Sequence, residues 1–229
     1  MIDYAKTYFD ENGRLIAETY DDVYFSIEGG LAETHYVFIE GNDLKQNIGQ
    51  HTPFTIIETG FGTGLNFMAT WDWLTQQNIT TPLHFISVEK HPLTEYVFAQ
   101  SLAEYPSIKP YQQHILKHYS KLTSQTINTV QLTPQITLTL LIGDVAEVLK
   151  QSPQKANAWY LDGFSPSKNP QMWQQSLFDN MAKLSHPHAT FATFTAAGMV
   201  RKGLAQAGFT VEKIKGFGHK RHMTKGILA

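Results

Sequence analysis

One stretch, residues 54–77, constrains the fold of this chain more than any other. It begins with an apolar run at 54–57 that leads into an acid, Glu58, and it closes with a run of helical character at about 65–77. Between them stand glycines at three alternate positions: Gly60, Gly62 and Gly64. Glycine lets a backbone approach a ligand closely or adopt positive φ, and the start of a helix offers unpaired N–H groups to an anion. The stretch is therefore typical of the opening strand, loop and helix of a nucleotide-binding α/β domain.

The spacing of the glycines argues against a dinucleotide site. A G-x-G-x-x-G fingerprint that began at Gly60 would need glycine or alanine at position 65, and Leu65 stands there. The observed pattern, E-x-G-x-G-x-G, resembles motif I of the class I methyltransferases, which bind S-adenosylmethionine (SAM). In that family the loop backbone holds the methionine part of SAM, and the early acid, here Glu58, lies near its ammonium group. A glycine-rich turn without a ligand is the alternative interpretation of the motif alone.

Composition restricts the remaining chemistry. The chain has 229 residues, an apolar fraction of 42% and no cysteine, which excludes disulfides, thiolate zinc sites and a cysteine nucleophile. We expect no metal site, because His114 and His118 have helical spacing but no third ligand is evident. No apolar run approaches the roughly 18 residues that span a bilayer, and the N-terminus lacks a signal-peptide pattern. We therefore expect no membrane contact and a cytoplasmic location.

Basic residues are concentrated near the C-terminus. The net charge of the chain is −2, but residues 201–225 contain seven lysines and arginines and a single acid, Glu212. A basic face on an acidic body is expected where one surface meets a polyanion. A solvated helix and strand that are basic without any partner explain the same charge pattern equally well.

Strand and helix patterns alternate through residues 54–229, the predicted core. The predicted strands are 54–57, 83–88, 136–142, 158–161 and 189–195, and the predicted helices are 65–77, 91–104, 145–151, 169–184 and 197–207. Two further runs, 209–217 and 223–228, are expected to pair as a final antiparallel hairpin. This order predicts an α/β fold with a mostly parallel sheet. With its two terminal strands it resembles the Rossmann-like sheet of the class I methyltransferases, which implies seven strands and an antiparallel last strand.

The rest of the chain departs from this alternation. The first 53 residues are predicted to be a β-rich extension, in which 21–27 and 34–40 form a β-hairpin or short lid and 42–53 form a polar loop. Residues 107–135 are polar and rich in Gln, Thr and His, which predicts an insertion that is partly helical. Because no linker or internal repeat interrupts the chain, we expect a single domain over 1–229.

Four successive predicted strands lead into an acid: Glu58, Glu89, Asp144 and Asp162. Ligands of open α/β sheets bind at the carboxyl ends of the strands, so these side chains test the hypothesis of a nucleotide site. Glu89 suits the two hydroxyls of a ribose, and Asp144 or its neighbouring backbone suits the amino group of an adenine. Random placement would rarely put an acid at four successive strand ends, and the pattern therefore favours a SAM site.

The loop after the fourth strand has the most distinctive sequence. Asp162 is followed by a glycine, by Phe164 and by two prolines that stiffen the loop. Methylation of an alkylamine requires an acceptor for the ammonium proton, and Asp162 suits that role. Phe164 and Trp173 suit stacking on a planar base. The structural alternative is an N-capping aspartate on a rigid loop, with Trp173 in the core.

Five segments together resemble the methyltransferase domain of the MnmC family, which modifies the wobble uridine of bacterial tRNA. They are D-D-V-Y-F-S at 21–26, the glycine-rich stretch at 58–66, the loop at 161–173, a segment at 194–204 and G-F-G-H-K-R at 216–221. The resemblance extends from about residue 20 to the C-terminus. It implies transfer of a methyl group from SAM to the exocyclic amine of 5-aminomethyl-2-thiouridine, which gives the methylaminomethyl form.

The same resemblance implies roles for individual residues. Asp162 would be the acceptor beside the amine, and the basic tail would meet the tRNA anticodon stem-loop. The cofactor-binding residues would be Glu58, Gly60, Gly62, Gly64, Asn66, Glu89 and Asp144. The substrate-binding residues would be Tyr24, Phe25, Phe164, Lys168, Trp173, Lys220 and Arg221. Many members have a second, FAD-dependent domain, and because this chain stops at Ala229 we expect no FAD domain in it.

Two other functions stay open on the sequence. One is SAM-dependent methylation of a small-molecule or protein amine, against which the basic cluster at 201–225 argues. The other is a non-catalytic module that keeps SAM or another nucleotide as a structural ligand. Binding to tRNA measured against salt separates the first from an RNA substrate, because phosphate contacts weaken steeply as salt rises.

Overall fold

The computed structural model of the protein describes residues 2–25 and 29–229, and an eight-stranded sheet lies at its centre. The strands are β1 (Thr7–Phe9), β2 (Leu15–Ala17), β3 (Asp22–Val23), β4 (Phe54–Glu58), β5 (Leu83–Glu89), β6 (Ile127–Gln131), β7 (Ile136–Ile142), β8 (Ala156–Tyr160), β9 (Ser185–Thr193), β10 (Phe209–Lys215) and β11 (His222–Leu228). The α-helices are α1 (Gly30–Thr34), α2 (Leu44–Asn47), α3 (Leu65–Gln76), α4 (Glu95–Gln100), α5 (Lys109–Leu116), α6 (Tyr119–Leu122), α7 (Val145–Val148), α8 (Gln175–Lys183) and α9 (Gly198–Gln206). A π-helical segment (His35–Glu40) continues α1, and 3₁₀ turns occupy Ile48–Gln50, Pro106–Ile108 and Leu149–Gln151.

The large sheet has the strand order β10-β11-β9-β8-β4-β5-β7-β6. Strand β4 is parallel to β5 and β8, β5 is parallel to β7, and β8 is parallel to β9. Strand β11 is antiparallel to both of its neighbours. The predicted fold class, a mostly parallel sheet with an antiparallel last strand, is therefore confirmed. The sheet has one strand more than predicted, because β6 in the 107–135 insertion adds to the edge antiparallel to β7.

Strand β4 lies where the strand order reverses. The chain pairs β5 on one side of β4 and later pairs β8 on the other. Loops that leave neighbouring strands at such a point diverge and open a crevice at the carboxyl edge of the sheet. Because β4 and β8 are neighbouring strands, the glycine-rich loop and the loop that begins at Asp162 start side by side at this crevice.

Helices cover both faces of the large sheet, so both are buried. Successive side chains of a strand point to opposite faces and therefore enter different clusters. Ile56 packs in a cluster that α3, α5 and the π-helical segment cover, whereas Ile57 packs in a cluster that α8 and α9 cover. Tyr160 and Trp159 of β8 divide between the same two clusters. The sheet is thus fixed from both sides, and its carboxyl edge is a rigid support for the loops.

The prediction of a strand at 34–40 is wrong. Helix α1 and the π-helical segment occupy this stretch and bury Val37, Phe38 and Ile39. Phe38 stacks on Tyr160 of β8, with ring centroids 5.0 Å apart. The β-propensity of these residues was misleading because contact with the sheet stabilises a helix here, and propensity is readily overridden by packing.

The N-terminal extension is β-rich, but its strands lie earlier than predicted. Strands β1, β2 and β3 form a separate antiparallel sheet. Of the strand predicted at 21–27, Asp22–Val23 is a strand, and 26–28 lie outside the described residues. The predicted loop at 42–53 contains α2 and a 3₁₀ turn, because Leu44 and Ile48 are buried in the core.

Two predicted helices begin later than expected. Helix α4 begins after Thr94, whose Oγ1 accepts a hydrogen bond of 3.3 Å from Val97 N and so caps the helix. Helix α8 begins at Gln175, because the residues before it form turns that bury Trp173. The insertion is partly helical, as predicted, and contains α5 and α6.

Among residues 2–25 and 29–229, no helix has both the length and the apolar character needed to cross a lipid bilayer. The described helix α3 has 12 residues, well short of the roughly 20 that a span requires. In the same part of the chain, no three or more His, Asp or Glu side chains are grouped so that they could hold a metal ion.

Candidate active site

A cavity of about 1090 Å³ opens at the carboxyl edge of the large sheet. It is lined by the loops that follow β4, β5, β7 and β8, by α1 and by the turn between β10 and β11. Parts of residues 3–25, called the N-terminal segment below, also line it. The predicted site residues that line it are Tyr24, Phe25, Gly60, Gly62, Asn66, Glu89, Asp144, Asp162, Phe164 and Lys220. The fold thus brings most of the predicted site residues to one cavity.

The glycine-rich loop after β4 packs directly on the loop after β8. A Cβ atom on Gly60, whose φ is +145°, would lie 3.2 Å from the Cα atom of Gly163. Thr59 Oγ1 donates a hydrogen bond of 2.8 Å to the carbonyl oxygen of Asp162. Glycine permits this close approach of two backbones, so Gly60 sets the distance between the glycine-rich loop and Asp162.

Glu89, the last residue of β5, faces the glycine-rich loop. Its Oε2 accepts a hydrogen bond of 2.8 Å from Gly62 N, and its Oε1 accepts one of 2.9 Å from His91 N. Burial raises the pKa of Glu89, and these two N–H groups lower it in part. Because each carboxylate oxygen has two lone pairs, Glu89 can also accept hydrogen bonds from the two hydroxyls of a ribose.

Glu58 does not line the cavity, which corrects its expected place beside a cofactor ammonium group. Its side chain is fully buried, Oε1 accepts a hydrogen bond of 2.8 Å from Asn66 Nδ2, and Oε2 accepts one of 2.6 Å from Ser87 Oγ. Burial raises the pKa of Glu58 well above its usual range. Glu58 therefore contacts the cavity only indirectly, by accepting a hydrogen bond from Asn66, which lines it.

Asn66 connects three elements around the cavity. Its Nδ2 donates to Glu58 Oε1 and also to Asp162 Oδ2, the second bond being 2.6 Å long. Its Oδ1 accepts a hydrogen bond of 2.7 Å from Thr34 Oγ1 of α1. Both N–H groups of the amide are thereby used. Asn66 thus holds the Asp162 carboxylate and also lines the cavity, and its role as a cofactor ligand stays a prediction.

Asp162 follows β8 and presents its carboxyl group to the cavity. Oδ1 accepts a hydrogen bond of 2.8 Å from Gly163 N, and Oδ2 accepts the bond from Asn66. Burial raises the pKa of Asp162 to about 6, against the effect of these two donors. The charge of Glu33 raises this pKa further, whereas that of Lys220 lowers it. At neutral pH the group is ionised and only weakly stabilised as an anion, which suits a proton acceptor.

Aromatic rings of the N-terminal segment pack on the loop that follows Asp162. Phe164 stacks on Tyr20 with centroids 4.4 Å apart and meets Tyr24 edge-on at 5.4 Å. An ion pair of 3.1 Å between Lys168 and Asp21 joins the same two segments. Lys168 itself does not line the cavity, and its side chain is exposed.

Trp173 belongs to the core and not to the cavity, which contradicts the predicted stacking on a base. Only 1% of its surface is exposed, and its Nε1 donates a hydrogen bond of 3.0 Å to the carbonyl oxygen of Phe164. Its ring meets Phe194 edge-on at 6.1 Å. A large buried ring with its N–H satisfied stabilises the loop from beneath. The structural alternative for Trp173 is therefore the one that the geometry supports.

Of three further predicted residues, one lies at the cavity and two lie outside it. Asp144 is half-exposed at the cavity, accepts a hydrogen bond of 3.1 Å from Ala146 N as the cap of α7, and pairs with Lys90 at 3.1 Å. Gly64 caps α3 with φ +72° but lies outside the cavity. Arg221 is exposed near the β10–β11 turn, also outside the cavity.

Sequence reasoning missed several residues of the cavity. Glu33 and Thr34 were given no role in the site, and neither were Tyr20 and Phe194, although all four line the cavity. Lys220 was assigned to phosphate, yet its Nζ lies 2.6 Å from Glu33 Oε1. No local signal identifies these residues, because their contacts join segments that are far apart in the chain.

Comparison with known proteins gives the family. Residues 106–229 match the model of a family described as S-adenosyl-L-methionine-dependent methyltransferase. The "tRNA 5-methylaminomethyl-2-thiouridine biosynthesis bifunctional protein MnmC" of Chromobacterium violaceum is 48% identical over 223 residues, which cover 96% of this chain and 34% of that protein. The protein of the same name from Stutzerimonas stutzeri is 45% identical over 229 residues, which cover 98% of this chain and 35% of that protein. The chain thus spans about a third of the length of these curated relatives.

A solved structure shares the fold. The crystal structure of MNMC2 from Aquifex aeolicus aligns with a TM-score of 0.81 over 99% of this chain and 71% of that one. The sequence identity is 24%, so this likeness concerns the fold alone. It supports the order and direction of the strands in the large sheet.

The residues of the cavity fit the cofactor of this family. Glu89 offers carboxylate oxygens to a ribose, and Gly62, where φ is +50°, packs so closely on the ring of Tyr24 that a Cβ would approach it to 3.2 Å, which leaves the backbone of the loop at the cavity. Gly60, Gly62, Glu89 and Asp144 would hold S-adenosylmethionine, the cofactor of this enzyme, in the cavity that Asp162 also lines. With a family model that matches more than half of its length and a cavity of fitting chemistry, the chain belongs to the S-adenosyl-L-methionine-dependent methyltransferases.

Proposed function

We propose that the enzyme methylates the exocyclic amine of 5-aminomethyl-2-thiouridine at the wobble position of tRNA, which gives 5-methylaminomethyl-2-thiouridine. The names of the relatives from C. violaceum and S. stutzeri assign those proteins to the biosynthesis of this product. The observation that supports the proposal most is Asp162, an acid with a pKa of about 6 beside the glycine-rich loop. An acceptor of this kind is what a protonated amine needs before it can act as a nucleophile.

Asp162 has two tasks in the proposed reaction. When bound, SAM supplies a methyl group that is already activated, so no covalent intermediate with the protein is needed. Asp162 accepts a proton from the substrate ammonium, which frees the nitrogen lone pair for attack on the methyl carbon, and it holds the amine in line for that attack. Asn66 and Gly163 fix the direction of the carboxylate, and such alignment can lower a barrier by several kcal/mol, up to roughly 7–11 kcal/mol.

Aromatic and basic groups support RNA as the substrate class. The rings of Tyr24, Phe25 and Phe164 line the cavity and suit the faces of an extruded base. Exposed basic side chains lie in the C-terminal part of the chain, and we assign them to phosphates of the anticodon stem-loop: Lys202, Lys213, Lys215 and Arg221. We accordingly assign the reaction to the cytoplasm.

The proposal is tested by supplying the purified protein with SAM and tRNA that contains 5-aminomethyl-2-thiouridine. Mass spectrometry of the digested nucleosides should show that this nucleoside disappears and that one heavier by a methylene group takes its place. Transfer RNA that lacks the aminomethyl group is the control and should remain unmodified. Failure to methylate the aminomethyl tRNA, with SAM bound, would refute the proposed substrate.

The same preparation distinguishes the other two functions. Affinity for tRNA should fall linearly with salt on logarithmic axes, since each phosphate contact releases counterions. A flat slope together with methylation of a free amine would favour a small-molecule or protein substrate. Binding of SAM without methylation of any amine would favour a non-catalytic module.

A further inference from the structure

A buried acid and an aromatic ring contact one ammonium group in the cavity. They belong to what we call the acceptor side of the cavity, the part in which Asp162 would receive the substrate amine. We propose that Glu33 and Phe194 form the site that recognises the substrate's cationic amine, and that Lys220 occupies this site until the substrate displaces it. The inference rests on the proposed amine substrate and adds to it a specificity-determining residue, Glu33.

Glu33 is an acid with little access to solvent. Its side chain lies on α1, lines the cavity and is only 11% exposed. A carboxylate so deeply buried requires a cation or several donors, because an unpaired buried charge is strongly destabilising. In the structure this cation is Lys220, whose Nζ lies 2.6 Å from Glu33 Oε1. Any process that removes Lys220 must supply another cation.

The Lys220 ammonium group also faces an aromatic ring. Its Nζ lies 5.1 Å from the centroid of the Phe194 ring, within the range of a cation–π interaction. A carboxylate on one side and an aromatic face on the other are the groups that recognise alkylammonium ions. The site is therefore built for a primary ammonium group, and the aminomethyl group of the proposed substrate has that chemistry.

The Lys220 side chain can move away from Glu33 and be replaced by another ammonium group. Lys220 lies near the turn between β10 and β11, and 45% of its side chain is exposed. A long flexible side chain with that exposure can turn outward without leaving a hole in the core. The incoming ammonium keeps Glu33 neutralised, and the released Lys220 can meet an RNA phosphate, so the exchange conserves charge.

The ammonium site is connected to the proton acceptor. Glu33 and Lys220 line the same cavity as Asp162, and both charges influence Asp162. Thr34, the neighbour of Glu33, donates a hydrogen bond of 2.7 Å to Asn66, which in turn donates to Asp162. Helix α1 is thereby held in a fixed relation to the proton acceptor. Glu33 captures the cationic amine, and Asp162 then takes its proton.

A purely structural salt bridge between α1 and the β10–β11 turn is the competing explanation. Three variants separate the two. Glu33→Gln removes the charge but keeps the shape, and Glu33→Gln with Lys220→Met removes the whole ion pair without leaving an uncompensated charge. Asp43→Asn is the matched control, because Asp43 pairs with Lys225 at 3.0 Å and lies outside the cavity.

The test is steady-state methylation of aminomethyl tRNA at saturating SAM, with SAM affinity measured by calorimetry to confirm folding. Glu33→Gln should raise KM for tRNA by about tenfold or more, with a smaller change in kcat and unaltered SAM affinity, since a bond to a charged group is lost. The double variant should keep the raised KM, and Asp43→Asn should have the KM of the unaltered enzyme.

An unchanged KM in Glu33→Gln, or a normal KM in the double variant, would overturn the assignment in favour of a structural salt bridge. If Glu33→Gln fails to bind SAM, the double variant decides in the same way. Failure of the proposed function has a different signature, because the unaltered enzyme would then leave aminomethyl tRNA unmodified.

Discussion

The cofactor side and the acceptor side of the cavity are built differently. On the cofactor side, Glu89 accepts hydrogen bonds from Gly62 and His91, which lie 27 and 2 residues away in sequence. On the acceptor side, Glu33 pairs with Lys220 across 187 residues, and Asn66 reaches Asp162 across 96. One side is made from the ends of adjacent strands, and the other is assembled from distant parts of the chain.

This difference separates what the sheet fixes from what the added elements decide. A sheet of this type places the loops after β4 and β5 side by side whatever their ligand, so the cofactor side follows from the fold. The acceptor side depends on α1, the N-terminal segment and the β10–β11 turn, which lie outside the parallel strands. We therefore expect changes on the cofactor side to weaken SAM binding and changes on the acceptor side to affect turnover and substrate selection.

The largest effect is expected for Asp162→Asn. The variant keeps the size of the side chain but cannot accept the ammonium proton, so kcat should fall about 100-fold. SAM affinity should change little, because the Asp162 side chain is not among the groups assigned to the cofactor. Single-turnover methylation of aminomethyl tRNA measures the first quantity, and isothermal calorimetry measures the second.

Asp179→Asn is the control for this substitution. Asp179 is exposed on α8, where it accepts a hydrogen bond from Gln175, and should not influence turnover. Equal loss of kcat and SAM affinity in Asp162→Asn would break the division between the two sides of the cavity. Normal turnover in that variant would remove Asp162 from the mechanism.

An effect of intermediate size is expected for Glu89→Ala. The variant loses a charged acceptor for the ribose and also the bond that holds Gly62, so the Kd for SAM should rise about tenfold or more. At saturating SAM, kcat should recover most of its value, because the acceptor side is unaltered. Calorimetry and a SAM titration of the initial rate provide both numbers.

Glu147→Ala controls for the loss of an acid near this edge. Glu147 is exposed on α7 and pairs with Lys150 at 3.3 Å, so its removal should leave the Kd for SAM unchanged. If Glu89→Ala had normal SAM affinity but low kcat, Glu89 would belong to the acceptor side. The division of the cavity into these two sides would then be wrong.

The sequence was sufficient for the part of the fold that rests on local periodicity. The apolar run at 54–57, the glycines and the helix after them were predicted close to their observed bounds, because each signal lies within a few residues. The segment 34–40 was mistaken for a strand, since its apolar residues fit either structure until the sheet that buries them is known. Edge strand β6 was missed for a related reason, because its buried face combines polar Asn128 with Val130 and its exposed face includes apolar Ile127, so its sequence does not alternate as a half-buried strand would.

The residues of the candidate site also differ in whether a local sequence signal could identify them. Glu89 and Asp144 were placed at the cavity from their position at strand ends alone. Glu33 could not be predicted, because its meaning depends on Lys220, which only tertiary structure brings near. Glu58 was predicted as a ligand from the motif, yet burial places it behind Asn66. Sequence position identifies which strand end a residue occupies, but not whether its side chain reaches the cavity.

The smallest expected effect concerns stability against pH. The pKa of Asp162 is about 6 in the folded protein and near 3.8 when the group is fully solvated, so folding disfavours the charged form. A raised carboxyl pKa means that its contribution to stability is fully present below about pH 3.8 and is lost as pH rises to about pH 6. Because an asparagine side chain does not titrate, the unaltered protein should lose about 1–2 kcal/mol relative to Asp162→Asn across this window, after allowance for partial exposure.

Urea denaturation at a series of pH values measures this difference. A constant offset between the two proteins is expected as well, since asparagine cannot accept from both Asn66 and Gly163, but an offset does not vary with pH. Asp179→Asn should follow the unaltered protein throughout. Parallel curves for Asp162→Asn would mean that Asp162 titrates alike in the folded and unfolded chain, and its readiness to accept a proton at neutral pH would then need a cause other than burial.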